Sequence, residues 1–112
     1  MKHHFAAEIP KELADEVRAS IAQVRDAPAP RELAGEGANL ILRLTEACLD
    51  SYFVRPVRAM KVGLVAEKAT VIGVKAAHRA IALFVRRITG GLSDEQIRTL
   101  ADQLEGMLFT RR

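Results

Sequence analysis

Six cations in the middle of the chain hold the residue types most capable of chemistry. Lys61, Lys68 and Lys75 recur every seven residues, and Arg58, Arg79 and Arg86 join them. Seven residues are close to two helical turns, so on a helix these side chains share one side. A row of this kind suits phosphates, each neutralised phosphate adding sequence-independent, salt-sensitive affinity. No aromatic residues interleave the row for base stacking, and Val65 and Ile72 interrupt it. The alternative is a solvated face that pairs with acids of neighbouring helices, such as Glu12, Asp15, Glu16, Asp102 and Glu105. An acidic protein partner and an anionic lipid surface are the other ligands such a row fits.

Other chemistries find little support. His3 and His4 are adjacent, while Cys48 and His78 each lack a companion three or four residues away, so no metal centre is expected. No haem-attachment motif and no glycine-rich nucleotide loop occurs, so no cofactor is expected either. Ser20, Ser51 and Ser93 lack a neighbouring base, and the Glu12–Glu16 pair belongs to a solvated helix face. A non-catalytic role follows as the expectation.

Composition agrees with that reading. Of 112 residues, 49% are hydrophobic and only 4% aromatic, with no Trp, which favours helices over sheets and excludes disorder. One cysteine makes no disulfide framework. The opening MKHHFAAEIP lacks an apolar leader core and no run is long enough to span a bilayer, so a cytoplasmic protein is expected. The net charge of +3 conceals a strong asymmetry. Residues 55–90 hold eight Lys/Arg against the single acid Glu67, a net of +7, between segments of net −3 and −1.

Periodicity and punctuation predict one all-α domain, an up-and-down bundle of about four helices over 10–26, 31–54, 57–88 and 93–109. Ile9, Leu13, Val17, Ile21 and Val24 form the inner face of the first helix, which Pro28 and Pro30 end. Arg55-Pro56 ends or kinks the second, and Gly90-Gly91 stops the third. Ser93 and Gln96 form a capping box for the fourth, with Leu92 and Ile97 as a hydrophobic staple.

The third helix carries two apolar seams. One holds Val57, Met60, Leu64, Val71, Val74, Ile81, Val85 and Ile88, with Glu67 and His78 as polar intruders. The other is small: Ala59, Gly63, Ala66, Thr70, Gly73, Ala77 and Ala80. Two seams imply neighbours on two sides, hence the central helix of the fold. Unbroken, it is ~48 Å long against a compact diameter of ~34 Å. It must break near Gly73 or be covered by a second chain, and its uninterrupted period favours a homodimer. Antiparallel pairing places Glu67 opposite His78 of a second copy, or Gly63 opposite Ala80 and Ala66 opposite Ala77. The alternative packs both seams within one chain, with His78 as a hydrogen-bonded core histidine.

The expected function is a self-associating interaction or accessory module. The alternative is a nucleic-acid-associated protein using the cation row. A third reading is an interfacial or granule-surface protein, which the Ala-rich amphipathic composition resembles only in general terms.

Overall fold

The computed structural model describes residue 3 and residues 5–109. The described residues form helices and no strands. They run α1 (Lys11–Asp26), a 3-10 turn (Pro30–Leu33), α2 (Ala34–Leu49), a π turn (Asp50–Val54), α3 (Arg55–Met60), α4 (Leu64–Thr89) and α5 (Asp94–Met107). His4 and the terminal Arg111-Arg112 lie outside the described residues.

The first helix follows its period. Leu13, Val17, Ile21 and Val24 are buried together with Ile97 and Ala101 of α5, and Ile9, Leu40, Leu44, Leu92 and Leu104 close over them. Pro30 is fully enclosed where the chain turns from α1 into α2. The Arg31 N–H there donates to Asp94 Oδ1 at 2.9 Å, tying the start of α2 to the start of α5. The capping box forms as expected: Gln96 N–H donates to Ser93 Oγ at 3.2 Å and Ser93 N–H to Gln96 Oε1 at 2.9 Å.

The second and third helices divide differently from the expected 31–54 and 57–88. Pro56 does not end the second helix. A proline inside a helix removes an N–H and crowds the carbonyl four residues back. Here the helix widens just before it, with Arg55 N–H donating to Asp50 O five residues away. The widened turn absorbs the proline, and α2, the π turn and α3 form one continuous rod. The break falls instead at Lys61-Val62-Gly63. Lys61 is left-handed at φ 53°, and Gly63 has φ 109° and ψ 162°, a region open essentially to glycine alone. The long helix therefore does not break at Gly73, through which α4 runs uninterrupted. Gly63→Ala should lower stability by about 1–3 kcal/mol through backbone strain. Its Cβ meets no atom within 4 Å, so a loss in urea unfolding would report conformation alone. An unchanged midpoint would show that the turn relaxes.

The central helix is α2, not the predicted third one. It packs on α4 along one side and on α1 along another, while α5 packs on α1. Ala38 and Leu42 of α2 are buried in consequence. The radius of gyration is 16.0 Å, above the ~13 Å of a compact chain this size, and the long axis is 52 Å. Met60, Val62, Leu64 and Val65 are all exposed where the α3–α4 hairpin projects.

Acidic residues clamp the α1 side. Arg25 donates to Asp102 Oδ1 at 2.9 Å and to Glu105 Oε2 at 2.6 Å, joining α1 to α5, and Arg43 of α2 pairs with Glu16 of α1. The Arg25 hydrogen bond holds the Glu105 carboxyl below its ordinary value of 4.5. A carboxylate depressed in the folded state stabilises above its unfolded pKa and loses that contribution as pH falls through the folded one. Stability should therefore fall as pH drops below 4.5, and Glu105→Gln should flatten that part of the pH–stability curve. Both surfaces are exposed, so the effect is modest and shrinks in salt.

Candidate functional site

The middle of the large seam of the predicted third helix is covered inside the chain, while its members Met60, Leu64 and Ile88 are exposed. Glu67, Val71, Val74, His78, Ile81 and Val85 are half-buried on the face of α4 turned toward α2. His78 Nε2 donates to Leu42 O at 3.0 Å, and Glu67 Oε1 accepts from Arg58 Nε at 2.8 Å. Each polar intruder thus has a partner in its own chain, which a Glu67–His78 pairing between copies would have to displace. His78 is hydrogen-bonded within the chain, but half-buried beside a groove and outside the buried core.

The small seam behaves otherwise. Ala66, Gly73, Ala77 and Ala80 are exposed, so α4 has a neighbour on one side only. Two of the residues assigned to this seam leave it. Gly63 serves the turn that precedes α4, and Thr70 is half-buried with its hydroxyl donating to Ala66 O at 2.9 Å. The Gly63–Ala80 pairing therefore has no helix at one of its ends.

What replaces that pairing is a broader apolar face. Val65 is 85% exposed, Leu83 76%, Ile72 68% and Phe84 64%. Between them stand Ala69, Gly73, Ala76 and Ala80, all exposed. Successive turns at 100° per residue place these residues in one arc, nearly opposite the face that packs on α2. No charge enters the arc before Arg87. Val65 and Ile72 are therefore members of this face rather than interruptions of the cation row. The residues Val65, Ala69, Ile72, Ala76, Ala80 and Leu83 recur at steps of three and four, and that periodicity is the signal by which the face is legible. Mixing bulky with small residues hides it.

The cation row lies along one edge of the arc. Lys68, Lys75 and Arg79 are exposed and have no ion-pair partner among the described residues. Arg86 donates to the neutral Asn39 Oδ1 at 2.9 Å. Arg58 leaves the row for Glu67, and Lys61 sits in the turn. The expected pairing of the row with acids of the flanking helices is not seen among the described residues: Asp102 and Glu105 pair with Arg25, Glu16 with Arg43, and Asp15 with Lys11 and Arg18. Glu46 comes nearest, lining a shallow groove of about 150 Å³ with Lys75, His78 and Arg79.

Among the described residues no three His, Cys, Asp or Glu side chains gather as metal ligands, and Cys48 is free and half-buried. Among the described residues no helix is long and apolar enough to cross a membrane. No family model, curated protein or solved structure matches the chain.

Proposed function

We propose that this protein is a non-catalytic interaction module that self-associates through the solvent face of α4. The observation that carries the reading is the exposed arc itself, ~29 Å of helix from Val65 to Phe84, with bulky Val65, Leu83 and Phe84 at its ends and mostly small residues around Ile72 in its middle. Isolated surface apolar residues are ordinary, but a contiguous face of this length marks an interface.

The order of residues suits a second copy in antiparallel register. Placing Gly73 against Ala76 of a second copy sets Ala69 against Ala80, Ile72 against Ala77, Ala66 against Leu83, and Val65 against Phe84. Gly73 and Ala76 then meet at the centre, where the backbones approach closest, Ile72 and Leu83 each meet an alanine, and Val65 meets Phe84 toward the ends. Each of these contacts occurs twice, as a two-fold interface requires.

The test is solution mass at micromolar concentration by light scattering, across salt. A dimer is expected, tightening as salt rises, because burial of apolar surface persists while repulsion between the two cation rows is screened. A monomer throughout would overturn the proposal.

A further inference from the structure

We infer that self-association assembles a binding surface for the phosphate backbone of a duplex nucleic acid. The inference rests on the antiparallel dimer just proposed. In a two-fold antiparallel pair, each flank of one helix lies beside the same flank of the other. The edge carrying Lys68, Lys75, Arg79 and Arg86 therefore meets its own copy, and all eight cations emerge on one side of the pair. Lys75 stands near the two-fold axis, and Lys68 lies across from Arg79 of the second copy.

The helical rise sets the dimensions. Arg86 lies ~17 Å from the centre of the pair, so the two rows span ~35 Å. That matches one turn of duplex, ~34–36 Å. Eight like charges held this closely raise the energy of the dimer, and a polyanion reverses that cost. Among the described residues Lys68, Lys75 and Arg79 have no ion-pair partner, and the nearest carboxylate, Glu46, only lines the groove beside Lys75 and Arg79.

The same geometry selects among anions. An interfacial membrane helix inserts bulky apolar residues beside its cations. Pairing uses Val65, Ile72, Leu83 and Phe84 between the copies; Met60, Val62 and Leu64 stay exposed at the hairpin tip, away from the Lys75–Arg86 stretch of the row. A rigid, evenly charged rod fits the two rows better than a flexible acidic peptide, whose ordering opposes binding. Without aromatic residues in the row, recognition is of backbone and not of sequence.

The experiment titrates the full chain into a labelled mixed-sequence 20-base-pair duplex and reads anisotropy at 50 and 200 mM salt, with sedimentation of the free protein run alongside. The expected result is binding by the dimer, weakened about a thousandfold between the two salts. The double variant Lys75→Gln and Arg79→Gln removes four of the eight cations. It should remain a folded dimer, bind at least tenfold more weakly and show about half the salt slope. A dimer that ignores the duplex at 50 mM salt overturns this inference and leaves self-association standing. A monomer in sedimentation overturns the self-association reading itself. Preference for phosphatidylserine vesicles or polyglutamate over the duplex, or unchanged affinity in the double variant, also overturns the nucleic-acid assignment.

Discussion

Gly73→Leu should convert the dimer to a 12.3 kDa monomer while raising the thermal stability of that monomer. The two effects come from different surroundings of one position. Within the chain, a Cβ at Gly73 meets no atom within 4 Å, so the added side chain projects into solvent. Replacing a helix-interior glycine by leucine then gains about 0.5–1 kcal/mol of helix propensity. Between copies the same side chain enters the closest approach of the two backbones, and it does so twice per dimer. Overpacking costs about 1–3 kcal/mol per site, so dissociation should strengthen about a hundredfold or more. Gly73→Ala supplies the control, with a similar gain in propensity and little change in association. Light scattering and thermal melts read the two effects separately. A Gly73→Leu protein that remains dimeric would remove the proposed face as the interface.

Ile21→Ala carries the largest expected loss of fold stability. Ile21 is 4% exposed, between α1 and α5, and lines a small apolar cavity of about 40 Å³ with Val17, Val24, Leu44 and Ile97. Truncation of a buried isoleucine costs the transfer of its methyl groups plus the void left behind, about 2–5 kcal/mol. A void already persists beside it, so the neighbours have not closed in, and the upper half of that range is expected. For a domain of this length the melting temperature should fall by about 15–25 °C. Ile21→Val should cost only about 1 kcal/mol. Urea unfolding with an unchanged m-value measures both, and a loss below about 1 kcal/mol for the alanine would show that this layer repacks.

The two substitutions also separate fold from function. Ile21 belongs to the layer that α1 and α5 share, away from the exposed face of α4, whereas a Cβ added at Gly73 meets nothing in its own chain. A stability loss at Ile21 and an association loss at Gly73 are therefore expected to be independent.

Much of the architecture is legible from residues alone. The first helix follows from the spacing of Leu13, Val17, Ile21 and Val24, and the last from its Ser93–Gln96 box. Local signals suffice there because caps and periodicity act within a few residues. The middle of the chain needed more. Pro56 reads as a terminator, but a widened turn carries the helix past it, and whether that occurs depends on what the continuing rod packs against. The turn settled at Lys61–Gly63, where a glycine that resembled an interface residue supplies a backbone angle. Two apolar seams suggested a helix with neighbours on two sides. Periodicity shows which residues share a face and leaves open which molecule covers that face.

The +7 segment makes the same division plain. Its charge, helical spacing and isolation from acids in sequence are fixed by the order of residues. Whether those cations are neutralised at home depends on distances between helices, which a sequence does not contain. Packing turned Glu16, Asp102 and Glu105 toward Arg43 and Arg25 and placed His78 on Leu42. It left Lys68, Lys75 and Arg79 facing solvent beside an uncovered apolar arc. Local periodicity determined the helices; the choice of which face to bury, made by the chain as a whole, determined the surface available for function.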